Sequence, residues 1–160
     1  MIDKKGAIIS DCGKYRYVLT SGCDVNYIPF VMLNPSTADA MEDDPTIRRC
    51  CGFAESFGYE GIVVLNLYAY RATDPRELKK LSLEEAIGKY NKGWWQHYLR
   101  EEKVICGWGN NADKRVVESF WQFCQNNGVQ TYCLGVTKNN QPKHPLYLKA
   151  DTQLIEWRYE

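Results

Sequence analysis

The polar residues best placed to do chemistry follow or interrupt apolar runs. Asn34 comes directly after Phe30-Val31-Met32-Leu33, Asn66 sits inside GIVVLNL at 61–67, and His144 precedes Pro145. Asn34 is neutral, so it can orient a water but is too weak a base to take its proton far. Asn66 offers a donor and an acceptor side by side, which suits the Watson–Crick edge of a base. His144 can donate to negative charge developing on a leaving atom, and Pro145 would fix the loop that holds it. Asp39, Asp43 and Asp44 follow Asn34, and each is a candidate general base. Asp44 has a competing explanation, since Asp before Pro45 reads as a helix N-cap.

These residues need elements to position them. An alternating run at 15–20 and the run at 27–33 read as two strands, expected to form a hairpin, after a loosely attached start over 1–14. From Pro45, the apolar residues Ile47, Cys50, Cys51, Ala54 and Phe57 recur at helical spacing until Gly58. Arg48 and Arg49 fall off that stripe, facing solvent or the loop before them. The continuous apolar run 61–67 predicts a strand covered on both faces. Ser82-Leu83-Glu84-Glu85 is a capping box, and the helix it opens carries Leu83, Ile87, Tyr90, Trp94 and Tyr98, weakened by Gly88 and Gly93. A strand at 103–107 ends at Trp108-Gly109-Asn110-Asn111. A helix bearing Val116, Val117, Phe120, Phe123 and Cys124 then leads to a strand at 130–136. The tail from 151 predicts a short helix or strand.

Strands and helices that alternate in this way predict a three-layer α/β/α domain over residues 1–160, with a mainly parallel four-stranded central sheet. Parallel strands end on one edge, where ligands bind. That edge would gather Asn34, Pro35 and Ser36, then Asn66, then Trp108 and Asn110, then Thr137 and Lys138, with the His144 loop beside them.

Composition bounds the function. A chain of 160 residues with 20 basic and 20 acidic side chains has no formal net charge, which tells against affinity built on blanket phosphate neutralisation. Seven cysteines without a CxxC, and no leader-like segment, predict reduced thiols in a cytoplasm. Only His97 and His144 could join them around a metal, so no metal or other cofactor is expected. No apolar run reaches membrane length. Eleven tyrosines and five tryptophans are core material first, but flat rings also line base pockets.

The strings Arg16-Tyr17-Val18-Leu19-Thr20, FVMLNPSTAD, DDPTIRRC, VVLNLYAYRATDP and HPLYL resemble a bacterial and phage family of uncharacterised proteins, domain of unknown function 1643. The same order of motifs is similar, more distantly, to the uracil-DNA glycosylase superfamily. Met32-Leu33-Asn34-Pro35-Ser36 resembles its water-positioning Asn-Pro-Gly strand, and Val64-Leu65-Asn66 the strand whose Asn reads a pyrimidine. Ile105-Cys106-Gly107-Trp108-Gly109 resembles its Leu-Trp-Gly strand, and His144-Pro145-Leu146 its His-Pro-Ser motif. There the His stabilises the leaving base and the loop enters the DNA minor groove. Ser36 stands where that superfamily has Gly or Tyr, and Leu146-Tyr147 where it has the Ser-Pro that pinches the phosphate backbone.

The resemblance implies a uracil-DNA-glycosylase-like fold and an N-glycosidase acting on a pyrimidine or modified base, in DNA or in a nucleotide. The catalytic set would be Asn34, His144 and Asp43. Substrate would be held by Pro35, Ser36, Thr37, Asp39, Arg49, Asn66, Arg71, Trp108, Asn110, Lys138, Pro145 and Tyr147, with Phe53, Tyr68 or Tyr70 stacking on the base. The partner would be nucleic acid or free nucleotide. The alternative is a nucleotide- or nucleic-acid-binding protein that keeps the pocket without catalysis.

Overall fold

The computed structural model describes residues 5–36 and 44–160, so Thr37, Asp39 and Asp43 lie outside the described residues. Seven strands, β1 (Lys5–Ile9), β2 (Arg16–Gly22), β3 (Tyr27–Met32), β4 (Gly61–Asn66), β5 (Lys103–Cys106), β6 (Gln130–Cys133) and β7 (Ile155–Glu156), form one sheet in the order β1-β2-β4-β3-β5-β6-β7. The helices are α1 (Pro45–Ser56), α2 (Leu83–Ile87), α3 (Asn91–Leu99) and α4 (Lys114–Asn126), with 3-10 turns at Pro75–Lys80 and Pro145–Tyr147.

This architecture overturns the expected uracil-DNA-glycosylase-like fold on a mainly parallel four-stranded sheet. The sheet is mixed: β1–β2, β2–β4 and β6–β7 are antiparallel, while β3–β4, β3–β5 and β5–β6 are parallel. The hairpin expected between the runs at 15–20 and 27–33 does not form either, because β2 and β3 lie on opposite sides of β4. Periodicity tells which side chains are buried, not which strand lies next door. β1 comes from the segment read as a loose start, and β7 is two residues long, so neither announces itself. The crossing from β2 depends on glycine: Gly22 has φ 82° and pairs with Gly61, and a Cβ on Gly22 would stand 2.5 Å from the Glu60 carbonyl oxygen.

Alternate residues of β4 point to opposite faces. Val63 and Leu65 join a cluster with Trp95 and Leu99 of α3 and Phe120 of α4. Ile62 and Val64 join Phe30 and Met32 of β3 and Cys50, Phe53 and Ala54 of α1. Asn66, two residues beyond Val64, therefore faces the α1 side. No helix among the described residues is long and apolar enough to cross a membrane.

The helix expected from the capping box is cut in two. Gly88 has φ 89°, and the α2 carbonyls of Ala86 and Ile87 accept from Tyr70 N and Ala69 N instead of from a continuing helix. This break holds the 69–72 segment beside the ends of β3 and β4.

Candidate functional site

The end of β4 is fixed from behind. The Asn66 carbonyl accepts from Asn91 Nδ2 at 2.9 Å and from Trp95 Nε1 at 3.1 Å, both on α3. Its side chain leaves the sheet on the other face. Asn66 is 3% exposed, and its side-chain amide makes no hydrogen bond to any described residue. An amide this little exposed, with no described partner, is placed to meet a ligand at this edge.

Asn34 is a brace. Its Nδ2 donates to the Ala72 carbonyl at 2.7 Å and to the Pro35 carbonyl at 3.0 Å, and Ala72 N returns a bond to Pro35 O at 3.0 Å. The donor half of this amide is committed to tying the end of β3 to the 71–72 segment. Its Oδ1 meets no described donor and can accept from a water. Next to it, the Ser36 carbonyl accepts from Arg71 Nε at 3.5 Å, while Ser36 Oγ is buried without a hydrogen bond. Arg71 Nη1 also donates to Gly13 O at 3.3 Å, which ties in the turn between β1 and β2.

The opposite wall comes from α1 and the Pro145–Tyr147 turn packed on it. Asp44 caps α1 through Oδ1, which accepts from Thr46 N at 2.7 Å. His144 caps the following turn, with Nδ1 accepting from Leu146 N at 3.2 Å. A neutral imidazole that accepts at Nδ1 carries its proton on Nε2. No described residue takes that proton. Burial pushes the His144 pKa below its ordinary value, and Asp44 opposes this only in part. His144 is thus a neutral Nε2–H donor at pH 7.

Pro145 is buried against Gly107, where a Cβ would meet Pro145 Cδ at 3.0 Å and Met32 Sδ at 3.1 Å. Gly107→Ala is expected to lower stability by about 1–3 kcal/mol through overpacking and to weaken function by shifting the His144 turn. Denaturant unfolding beside a ligand titration measures both, and an unchanged protein would show that the turn is not seated there.

Two arginines complete this edge. Arg16 on β2 is 5% exposed. Burial first, and then the like charge of Arg71, hold its pKa below the usual arginine value, with Asp44 acting the other way. Sequence reasoning missed Arg16 as a site residue. The signal was a cation inside a strand whose following residues, Tyr17, Val18 and Leu19, are all buried. Arg49 lays its guanidinium over the Phe53 ring, 5.1 Å from the centroid, and its Nε is buried without a hydrogen bond.

The structure thus gathers Asn34, Pro35, Ser36, Asn66, Arg71, His144 and Pro145 on one edge, with Arg49 on the α1 wall. Other expected residues lie elsewhere. Phe53 and Tyr68 are buried and belong to the two cores, and Tyr68 borders a cleft on the face away from α1 rather than this edge; its Oη accepts from Asp113 N at 2.9 Å. Tyr70 is half-buried, edge-on to Tyr15 at 5.6 Å. Asn110 accepts from Thr137 Oγ1 at 2.7 Å and lines a cleft of about 750 Å³ with Tyr68, Leu78 and Asp113, on the face of the sheet away from α1. Lys138 is exposed, and Tyr147 is exposed with its ring 6.5 Å from that of His144.

Trp108 is a core residue. It is 2% exposed, packs edge-on against Phe120 and Trp157, and donates Nε1–H to Gln141 Oε1 at 2.9 Å. Trp108→Phe is expected to cost about 1–3 kcal/mol of stability and to leave ligand affinity within about twofold. Thermal melting and a binding isotherm check the pair; a collapse of affinity in the folded variant would return Trp108 to the site.

Residues 16–146 match the model of the family described as protein of unknown function (DUF1643), and the chain belongs to that family. Against curated proteins the chain finds no match, and against solved structures it finds none either. Among the described residues no group of three or more His, Cys, Asp and Glu side chains could hold a metal ion.

Proposed function

We propose that the protein recognises a nucleobase at this edge and hydrolyses the bond between base and sugar. The observation that carries the reading is Asn66: a residue only 3% exposed whose side-chain amide bonds to no described residue, held in place through its own carbonyl, on the same edge as His144, whose Nε2–H meets no described acceptor. An amide offers a donor and an acceptor side by side, which suits the edge of a base. Water adds across the glycosidic bond, its hydroxyl to the sugar carbon and its proton to the solution. The electron pair of the broken bond leaves with the base, and His144 Nε2–H stabilises that anion. Asn34 Oδ1 accepts from the attacking water and orients it. The order of motifs, similar to that of uracil-DNA glycosylases, supports these assignments, and the resemblance to the uncharacterised family supports a bacterial or phage setting.

One observation favours a non-catalytic nucleotide binder instead: the Asn34 amide donor is engaged by Ala72, which leaves a single acceptor to manage water. Long incubation with uracil- or modified-base DNA, nucleosides and nucleotides, followed by mass spectrometry, separates the two. Free base supports the hydrolase. A ligand that binds and is recovered intact supports the binder.

A further inference from the structure

We infer that residues 137–149 form a ledge for a single-stranded polynucleotide, on which Lys138, Lys143 and Lys149 meet phosphates and Tyr147 stacks on a base. This rests on the base-recognition reading and names its substrate class, a strand rather than a free nucleotide. Charge is segregated along the chain although it sums to zero. No Asp or Glu lies between Glu118 and Asp151, and the basic residues of that interval are Lys138, Lys143 and Lys149. All three are exposed, and none makes an ion pair with a described residue. Of the acids nearby, Asp44 caps α1, Glu156 pairs with Arg158 at 3.2 Å, and Glu160 shares a cleft with Lys114 and Asn139.

The backbone sets these lysines in a row through the site. Val136 bridges Pro142, Thr137 N donates to Gln141 O at 2.8 Å, and Asn140 turns the chain with φ 58°, so Lys138 stands at a hairpin tip. Gly109 N donates to Pro142 O at 2.8 Å and Trp157 Nε1 to Asn140 O at 2.9 Å, which holds the hairpin to the core. Lys143 N donates to Gly135 O at 2.9 Å, one residue before His144. Beyond His144 come Tyr147, 87% exposed with its ring 6.5 Å from that of His144, and then Lys149. Cations thus stand on both sides of the group that would meet the leaving base, as phosphates stand on both sides of a base in a strand. A ring this exposed is a platform for a neighbouring base, and stacking needs a base that is free of a duplex. The ledge is fixed before a strand arrives, so little ordering opposes binding.

The test is fluorescence anisotropy over a range of salt, with a labelled single-stranded oligodeoxynucleotide, its ribonucleotide counterpart and the same sequence as a duplex. A single strand is expected to bind at least about tenfold tighter than the duplex, and its affinity to fall as roughly the second power of salt concentration, from about 0.7 counterion released per phosphate contact. The triple variant Lys138→Gln/Lys143→Gln/Lys149→Gln is expected to lose about tenfold or more at low salt, together with most of the salt dependence. Tyr147→Ala is expected to lose about fivefold or more and to keep the salt dependence, which separates stacking from charge. All four side chains are exposed, and thermal melting checks that the variants fold. Equal binding by the wild type and the triple variant, or a preference for the duplex, would overturn the ledge. Free base released from a mononucleotide while no strand binds would overturn the ledge and leave base recognition standing. A strand held by the ledge but yielding no base would support the ledge and overturn the hydrolysis.

Discussion

Replacing Asn66 by Leu is expected to make the protein more stable and inactive. The wild-type side chain holds an amide that bonds to no described residue where the residue is only 3% exposed, so its partial desolvation costs the folded state about 1 kcal/mol. Leucine has similar volume and no polar atoms, and its neighbours on that face include Val64 and Met32. We expect a gain of about 1 kcal/mol, read as a higher denaturant midpoint. Ligand affinity is expected to fall on the order of 100-fold or more, because a pocket that pairs both halves of an amide rejects a partner lacking it. Loss of stability in Asn66→Leu would show that the amide is held inside the protein and is not waiting for a ligand.

His144→Asn is expected to separate the two jobs of the histidine. Asn can keep the acceptor that caps Leu146 N, but it lacks the Nε2–H. Turnover is expected to drop about 100- to 1,000-fold with binding largely kept, since in the proposed mechanism that donor acts on charge that develops only as the base leaves. Stability should report the same residue through pH. The folded pKa of His144 lies below its ordinary value of 6.5, chiefly through burial. Above that ordinary value both folded and unfolded forms are neutral, and the contribution is complete. As pH falls below it, the unfolded chain takes up a proton first, so stability declines through the lower folded pKa and then levels. His144→Asn should flatten this acid leg. A wild type with no such leg, or one unchanged in the variant, would contradict the buried neutral imidazole.

Much of this edge was legible because strand ends punctuate themselves. The apolar runs before Asn34 and through Asn66 located β3 and β4, Asp44-Pro45 marked the start of α1, and the Ser82 capping box appears as Glu85 N to Ser82 Oγ at 3.2 Å. The sheet was not legible, because burial patterns leave strand partners open: β2 joins β4 from the side opposite β3, and a polar start became β1. Aromatic residues misled for a related reason. Residue type does not reveal which way a ring faces, and Phe53, Tyr68 and Trp108 all turn into cores. Arg16 escaped because a single cation in a short strand reads as an outward residue until the strand acquires neighbours on both sides. Asn34 follows β3, as the apolar run before it implies, but its hydrogen bond to Ala72 crosses 38 positions and no local pattern announces it.

The central claim is that a base is held on Asn66 and released with help from His144. Its most direct measurement is single-turnover release of free base, with enzyme in excess over each substrate of a panel of nucleotides and base-modified oligonucleotides. The wild type should release one base, and folded Asn66→Leu and His144→Asn should release it at least about 100-fold more slowly. No free base from any substrate, or release by Asn66→Leu at the wild-type rate, would contradict the account.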